Sequence, residues 1–427
     1  MKKPLPYLWF DDAAEAAVDF YVRTIPDSRI EDVHRYGDAG ADVSGQPSGS
    51  VMSVSFTLGG VGMVALNGGP LYRFSPAVSF FVNCATADEV DRIFGALAEG
   101  GEVLMPLDAY PFSERYGWLA DRYGVNWQVM RSDAAQRVVP SLLFVGARFR
   151  QAAAAIDRYL SVLPDSAELA RERAEDGSVL FSAQRLGGLE FRIMESGEAH
   201  AFDFTPAVSF LLACETDEEH DRLYAALSDG GEIQPCGWLA DRFGISWQVV
   251  PEGLFAALQD EDPVRAERAM AAMLTMTKID LGAIERAKDG PVEIEALVRA
   301  TPARVWECWT EPRHIVRWNA ASDDWHTPRA ENDLRPGGTF VSRMEAKDGS
   351  AGFDFGGVYD EVVPERVIAY TLGDGRKVRA TFEPRDGGTA TFVRETFDAE
   401  GVHPREVQRQ GWQSILDRFK AYAEAGA

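Results

Sequence analysis

Two glutamines stand at the same place in two copies of one phrase, and their type and spacing point to ligand chemistry. The phrase occupies 117–129 and recurs 120 residues later at 237–249, with three positions changed. Recurrence of such a string identifies a duplicated module. Gln128 and Gln248 lie in otherwise apolar strand patterns, and a side-chain amide offers both a donor and an acceptor. We therefore expect each glutamine to present a hydrogen-bonding group to a ligand cavity.

The residues around these glutamines alternate in character, as they do in a strand. Asn126 and Gln128 fall on one face of a segment whose other face is apolar. In the second copy Ser246 replaces the asparagine beside Gln248. A second interpretation is that the glutamines only satisfy backbone groups inside the fold, and the sequence leaves both interpretations open.

The other reactive side chains form no catalytic set. His220 falls on the core face of a helix, where packing is the simpler role. Cys84 and Cys214 occupy equivalent strand positions and predict buried thiols, whereas Cys236 precedes a glycine turn and is a candidate for an accessible thiol. Residues 289–427 present no carboxylate pair, Ser-His-Asp set or metal-ligand cluster, so nothing there identifies a reaction, and the catalytic residues stay unknown.

Repeated helices and strands must position these residues. Apolar residues recur with helical spacing over 14–25 and again over 152–163, and Pro-Asp-Ser stops each helix. Each copy reads as a strand, a helix and further strands, followed by the same unit again. Extra residues around 104–116 in the first copy predict either a loop over a cavity mouth or a longer hairpin. Helical spacing resumes over 251–289, where we expect a packed appendage.

Length and charge limit the classes of function. The 427 residues predict two to four domains at about 100–200 residues each. The formal net charge of −24 repels phosphate backbones and anionic lipid, so we expect neither nucleic acid nor a membrane as a partner. No stretch approaches the roughly 20 apolar residues of a membrane span, and the start does not read as a signal peptide. Four cysteines without a CxxC pair indicate a reduced protein, expected in the cytoplasm.

The last third of the chain has a pattern of its own. Apolar and polar residues alternate over 292–298, a helix follows, and glycine-rich turns separate further strands. The chain ends in a long helix with Trp412 and Phe419 on one apolar face, which a curved sheet would bury. Gly411 inside this helix costs about 1 kcal/mol relative to alanine. We therefore expect backbone or ligand to approach the helix closely at this glycine.

An apolar cavity is expected between this sheet and the terminal helix, because a curved sheet cannot close fully on one helix. The candidate ligand-binding residues that would line the cavity are Trp318, Phe340, Tyr359 and Trp412. The alternative is that these aromatic side chains fill the space and leave a solid core.

Several motifs of the duplicated part resemble one superfamily. They are Tyr7–Asp11, Phe20-Tyr21, Ala65–Pro70, Cys236–Gly244 and Ser246–Pro251. With them, residues 1–288 resemble the vicinal-oxygen-chelate (glyoxalase/bleomycin-resistance) superfamily, in its PhnB-like branch labelled 3-demethylubiquinone-9 3-methyltransferase. The resemblance implies an α+β fold of two glyoxalase-like units, in which paired βαβββ modules curl into half-barrels around a cavity. The candidate ligand-binding residues in this part are Phe10, Asn67, Asn126, Gln128, Ser246 and Gln248.

Metal-using members of that superfamily present His and Glu from the edges of the half-barrels. Counting along the strands places Pro6, Ala77 and Ala207 where the histidines would stand, and Gln128 and Gln248 where the glutamates would stand. A neutral amide without imidazole neighbours is a poor metal ligand. We therefore expect no catalytic metal and no cofactor in either copy.

The methyltransferase label implies S-adenosylmethionine as a substrate. A Rossmann-type site for it needs a glycine-rich turn between a strand and a helix. The glycines at 59–62 instead lead into the strand-like residues 63–66 and predict a hairpin. The residues therefore give this label no support.

Motifs in residues 290–427 resemble a second superfamily. They are Val305–Pro312, Arg317-Trp318, Asp333–Gly338, Gly356–Tyr359 and Gly411-Trp412. These residues resemble the START-like (SRPBCC) superfamily, in the AHSA-type branch named after activators of a heat-shock-protein ATPase. The resemblance implies a helix-grip fold with an internal apolar cavity. We expect domains at 1–135, 136–288 and 289–427.

Three functions fit these observations. The first is metal-independent binding of a small apolar or aromatic molecule in the glyoxalase-fold and START-like cavities. The second is an enzyme of small-molecule metabolism. The third is a chaperone-associated interaction protein, which rests on fold-level analogy alone. We also expect the two copies to pack as an intramolecular pseudo-dimer, and the formation of a homodimer is left open.

Overall fold

The chain folds into two units, seen in a computed structural model that describes residues 1–426. The first unit extends from Met1 to Leu281 and the second begins at Gly282. Both units combine strands and helices, so the predicted α+β class is confirmed. Within residues 1–426 no helix is both long and apolar enough to cross a membrane.

The first unit is built from sixteen strands and a set of mostly short helices. The strands are β1 (Leu5–Phe10), β2 (Arg29–Arg35), β3 (Val51–Leu58), β4 (Val61–Asn67), β5 (Val78–Cys84), β6 (Glu102–Tyr110), β7 (Ser113–Ala120), β8 (Asn126–Arg131), β9 (Val138–Phe144), β10 (Ala167–Arg173), β11 (Val179–Leu186), β12 (Leu189–Glu195), β13 (Val208–Cys214), β14 (Glu232–Ile233), β15 (Trp238–Ala240) and β16 (Ser246–Pro251). The helices are α1 (Ala14–Thr24), α2 (Asp38–Ser44), α3 (Ala87–Ala98), α4 (Ala152–Val162), α5 (Asp217–Ser228), α6 (Leu254–Leu258), α7 (Pro263–Leu274) and α8 (Leu281–Lys288), the last of which spans the boundary between the units.

The two copies exchange halves to form two eight-stranded sheets. One sheet has the order β14-β15-β16-β13-β1-β4-β3-β2 and the other β10-β11-β12-β9-β5-β8-β7-β6. The halves join through antiparallel pairs, with Tyr7 opposite Ser209 in the first sheet and Ser79 opposite Ser141 in the second. The first half of each copy therefore completes its sheet with the second half of the other copy, as in a domain swap within one chain.

Helices α1 and α4 carry the apolar faces that their spacing predicts. Helix α1 buries Ala14, Val18 and Tyr21, and α4 buries the equivalent Ile156 and Tyr159. These residues join the strand side chains in one hydrophobic core of the first unit. At roughly 25 cal/mol per Å² of apolar surface removed from water, such faces are the main source of stability for helices of this length.

A buried aspartate explains why the repeated phrase is kept in both copies. One carboxylate oxygen of Asp121 accepts hydrogen bonds from the backbone N–H groups of Tyr123 at 2.8 Å and Val125 at 3.1 Å. The other oxygen accepts from the Tyr21 hydroxyl and the Trp127 indole N–H, each at 2.7 Å. The aspartate thus fixes the turn and ties helix α1 to strand β8.

The second copy repeats the same arrangement around Asp241. Its carboxylate accepts from the Tyr159 hydroxyl at 2.6 Å and from the Trp247 indole at 2.9 Å. Burial raises the pKa of both aspartates, although the hydrogen bonds to each carboxylate oppose that effect. The phrase is therefore a structural motif as well as the carrier of the glutamines.

The second unit is one antiparallel sheet with helices packed against it. Its strands are β17 (Val292–Val298), β18 (Trp325–Asn332), β19 (Thr339–Ala346), β20 (Gly352–Val363), β21 (Val367–Leu372), β22 (Lys377–Arg385) and β23 (Ala390–Phe397). Its remaining helices are α9 (Pro302–Thr310), α10 (Pro312–Trp318) and α11 (Arg405–Ala425). The strand order is β17-β23-β22-β21-β20-β19-β18, and α11 buries Leu416 and Phe419 in the core that the sheet forms. The predicted curved sheet around a terminal helix is therefore present.

Candidate ligand-binding sites

The Gln128 side chain is held at both ends by the protein. Its amide nitrogen donates to the Ser79 hydroxyl at 2.8 Å, and its amide oxygen accepts from the Tyr116 hydroxyl at 2.7 Å. The glutamine is 4% exposed, so these partners replace the water that it would otherwise bind. In the first copy the amide forms part of a closed polar network.

Gln248 differs from its counterpart in one partner. Its amide nitrogen donates to the Ser209 hydroxyl at 2.9 Å, which repeats the first copy. The position of Tyr116 is taken by Cys236, so no hydroxyl reaches the amide oxygen. Among residues 1–426 that oxygen has no hydrogen-bond donor, so it can accept from a further group, and the Gln184 amide oxygen likewise lacks a donor.

The other candidates of the first unit take varied positions. Asn67 accepts from the Ala14 backbone N–H at 2.8 Å and donates to the Val51 carbonyl at 3.0 Å, so its amide anchors the start of α1. Phe10 is 3% exposed in the core. Ser246 is likewise buried. Ser246 lies on the same face of β16 as Gln248 and pairs with Ser209, the hydrogen-bond partner of that glutamine, whereas Phe10 and Asn67 pair with each other between β1 and β4.

Asn126 lies on the same face of β8 as the glutamine of that strand. Its amide nitrogen donates to the Gly124 carbonyl at 3.1 Å, whereas its amide oxygen is buried without a partner among the described residues. The Ser141 hydroxyl is also buried without a hydrogen-bond partner among the described residues. With the Trp118 indole nitrogen, which is also buried without a partner, three unsatisfied polar atoms lie on the face of the second sheet that carries Gln128.

The extra residues of the first copy form a long hairpin, which was the second of the two expectations for them. Strands β6 and β7 are joined at Pro111 and Phe112. The Phe112 ring lies 5.0 Å from Tyr116 and 5.7 Å from Tyr110, measured between centroids. Tyr116 packs with Phe81, the direct neighbour of Gln128 across β5 and β8. The hairpin thus covers this face with aromatic side chains.

The cysteines and His220 occupy the core or its margin. Burial raises the pKa of Cys84 and Cys214 to about 12, so both thiols are protonated at neutral pH. Burial also raises the pKa of Cys236, which is half-buried and whose Sγ lies 3.8 Å from the Met273 carbonyl. Burial lowers the pKa of His220, whose ring contacts the Val249 carbonyl at 3.1 Å. Residues 1–426 contain no group of three or more His, Cys, Asp or Glu side chains placed to hold a metal ion.

A cavity of about 380 Å³ lies between the sheet of the second unit and helix α11. Trp318, Phe340, Tyr359 and Trp412, the four candidates of this unit, all line it. The other lining residues are Trp309, Ile315, Asn319, Ala321, Trp325, Glu331, Asn332, Ser342, Met344, Phe353, Phe355, Ile368, Tyr370, Glu395, Gly411, Ile415 and Leu416. The aromatic side chains therefore leave an open space and do not fill the interior as a solid core.

Contacts outside the open space hold the aromatic walls in place. Trp412 stacks on Phe397 with ring centroids 4.0 Å apart and an interplanar angle of 14°. The Trp318 indole N–H donates to the Cys308 carbonyl at 2.9 Å. Phe340 meets Tyr370 edge to face, with centroids 4.8 Å apart. Since these side chains are fixed by the protein, the cavity is preformed.

Few polar groups face the cavity. The Tyr359 hydroxyl donates to Asn332 at 2.8 Å, and the Asn332 amide donates to the Thr310 carbonyl at 2.6 Å. Glu395 is 5% exposed and receives a long hydrogen bond of 3.5 Å from the Tyr370 hydroxyl. Burial raises the pKa of Glu395 to about 8, against a weaker opposing effect of that hydrogen bond.

Glu395 was missed in the sequence, although its position carries a signal. Strand β23 alternates, and Glu395 falls in phase with the buried Val393 and Phe397 while Arg394 is exposed. An acidic residue in the buried phase of a strand marks a site where a charge must be held or neutralised.

Gly411 lines the cavity without the close backbone contact that the sequence suggested. A Cβ atom placed on Gly411 would meet no other atom within 4 Å. The expectation that another backbone segment approaches here is therefore wrong. The missing side chain instead leaves room in the cavity wall, which keeps the ligand alternative open.

Family models of known proteins match the two units separately. A family model described as 3-demethylubiquinone-9 3-methyltransferase matches residues 2–130 and again 136–250, together more than half of the chain. A model described as activator of Hsp90 ATPase homolog 1-like protein matches residues 299–424. No curated protein matches the chain.

Two solved structures are each similar to about a third of the chain. The AHSA1-like protein from Aeromonas hydrophila is 46% identical over 31% of this chain and 93% of its own, with a TM-score of 0.30. The PhnB protein from Bacillus cereus is 35% identical over 31% of this chain and 98% of its own, with a TM-score of 0.27. The chain therefore belongs to the 3-demethylubiquinone-9 3-methyltransferase family, of which it carries two tandem modules, followed by an AHSA1-like domain.

Proposed function

We propose that the second unit binds a small apolar or aromatic molecule in the cavity between its sheet and helix α11. The observation that carries the proposal is the cavity of about 380 Å³ with its aromatic lining. Protein interiors are close-packed, and an empty space of this size costs stability. Ligand pockets of roughly 300–1,000 Å³ are typically apolar with a few placed polar groups, and this cavity has that character.

The proposal is confined to the second unit. In the first unit the face that carries Gln128 is covered by the β6–β7 hairpin, and the amide is occupied by Ser79 and Tyr116. Asn126 and Ser141 retain unsatisfied atoms there, but both side chains are buried. The second unit, in contrast, offers its polar groups at the wall of an open space.

Titration of the full chain with Nile red, a neutral apolar dye, tests the proposal. We expect saturable binding with an increase in dye fluorescence and energy transfer from tryptophan, because several of the lining residues are tryptophans. A neutral apolar competitor such as naphthalene should displace the dye. Non-saturable uptake, or uptake that no apolar competitor reduces, would refute the proposed function.

A further inference from the structure

The cavity of the second unit is lined by carboxyl side chains and, among the described residues, by no basic ones. Glu331 and Glu395 line the cavity, and none of the described residues that line it is Lys, Arg or His. Glu331 is exposed and pairs with Arg329 at 3.7 Å, so Glu395 is the carboxyl group that a ligand meets inside the cavity. An anionic ligand would oppose ionisation of this carboxyl, and a cationic ligand would favour it.

Glu395 is the more telling of the two carboxyls because it is deeply buried. One carboxyl oxygen receives the long hydrogen bond from Tyr370, and the other has no donor among the described residues. A buried carboxyl with so little support is costly, and an apolar residue would fit the same phase of β23 as Val393 and Phe397. A ligand that donates a hydrogen bond to the second carboxyl oxygen of Glu395 would offset this cost.

The walls around this carboxyl suit a positive charge as well. The rings of Phe340, Tyr359, Tyr370 and Trp412 line the same cavity. Aromatic faces attract ammonium groups, most strongly where water is excluded. A carboxyl and several rings together form a site for a cation that carries an apolar body.

We propose that the ligand of this cavity is a lipophilic cation, an apolar or aromatic molecule with an ammonium group that lies beside Glu395. This inference rests on the proposed function and names its ligand class. The apolar body occupies the aromatic part of the cavity, and an N–H of a protonated amine donates to the free carboxyl oxygen. Burial raises the pKa of Glu395 in the empty cavity, and the approach of a cation would return the carboxyl to its charged form. The competing assignment is a neutral ligand whose carbonyl or hydroxyl accepts from a protonated Glu395.

Three probes with one ring system and different head groups separate these assignments in the full chain. They are 1-naphthylmethylamine, 1-naphthalenemethanol and 1-naphthoate, each measured by displacement of bound Nile red at neutral pH. We expect the amine to displace the dye at a concentration at least about tenfold below that of the alcohol, and the naphthoate to be weakest. Equal or tighter displacement by the alcohol would overturn the proposal in favour of a neutral ligand. Tighter displacement by the naphthoate would overturn it outright.

A variant locates the charge effect. Glu395→Gln keeps the size of the side chain and removes its charge, so it should weaken the amine by about tenfold and leave the alcohol nearly unchanged. An unchanged amine affinity in this variant would overturn the role of Glu395. The comparison of head groups on the unaltered protein needs no variant, so the proposal is tested even if Glu395→Gln fails to fold. Failure of Nile red itself to bind would refute the proposed function, whereas dye binding without a preference for the amine refutes only the ligand class.

Discussion

The hydroxyl of Tyr370 lies 3.5 Å from a carboxyl oxygen of Glu395, and the two side chains meet across strand β22 at the wall of an aromatic cavity. Both groups are almost completely withdrawn from water. Burial raises the pKa of the glutamate to about 8 and raises that of the tyrosine as well. The pair is therefore uncharged in the empty cavity at neutral pH, and it retains a carboxyl oxygen for a ligand.

The stability of the second unit should fall as the pH rises through the range in which Glu395 titrates. The folded pKa is about 8 and the ordinary value is 4.5, so between them the folded unit holds a proton that the unfolded chain has released. This contribution is complete below the lower value and is lost as pH rises through the higher one. Over the whole interval it is on the order of 5 kcal/mol, at about 1.4 kcal/mol for each pKa unit.

Thermal melts of Glu395→Gln and of the unaltered protein across this range check the effect. Glutamine does not titrate, so the variant should show a flatter dependence of melting temperature on pH. The exposed Glu383→Gln serves as the matched control and should keep the original slope. Identical slopes in all three proteins would show that Glu395 is not the titrating group.

Asp121→Asn should destabilise the first unit by about 1–3 kcal/mol. The asparagine keeps one oxygen for the turn, but its amide nitrogen cannot accept from the Trp127 indole. Tyr21→Phe removes one donor and should cost less than the aspartate change. Urea unfolding measures both, and the exposed Asp19→Asn is the control that should leave stability nearly unchanged. A loss for Asp121→Asn no greater than for the control would contradict a structural role for the phrase.

Replacement of the two glutamines should have unequal effects. Gln128→Leu leaves the buried hydroxyls of Ser79 and Tyr116 without partners, at a cost of about 1–3 kcal/mol. Gln248→Leu leaves only the Ser209 hydroxyl without a partner, so it should reduce the free energy of unfolding by less. Urea unfolding of the full chain compares the two variants directly. A larger loss for Gln248→Leu would mean that the difference between Tyr116 and Cys236 does not govern these amides.

Gly411→Ala should stabilise helix α11. Alanine removes a penalty of about 0.5–1 kcal/mol for glycine in a helix interior. The new methyl group meets open space, so no packing strain offsets the gain. Differential scanning calorimetry should show a higher melting temperature for the second unit. A lower one would indicate that the space beside Gly411 is not open.

Local patterns in the sequence predicted much of the fold. The spacing over 14–25 and 152–163 corresponds to α1 and α4, and the alternation over 292–298 corresponds to β17. These elements follow from the period of apolar residues alone, so one sequence suffices. Aromatic density and the apolar face of the terminal helix also led to the cavity-lining residues.

The exchange of halves between the two copies could not be predicted in the same way. Both copies carry the same strands, so pairing within a copy and pairing between copies satisfy one hydrophobic pattern. The burial of Glu395 was not predicted for a related reason. Strand β17 has glutamates on its exposed face, and only the phase of β23 distinguishes the buried glutamate from these.

The most direct test of the central claim is Nile red binding to a variant in which the cavity itself is filled. Gly411→Leu places a larger side chain where the cavity wall is open, in a helix that favours leucine over glycine. We expect this variant to remain folded and to bind the dye at least about tenfold more weakly, whereas Gly411→Ala retains most of the binding. Undiminished saturable binding to a folded Gly411→Leu protein would contradict the claim that this cavity holds the ligand.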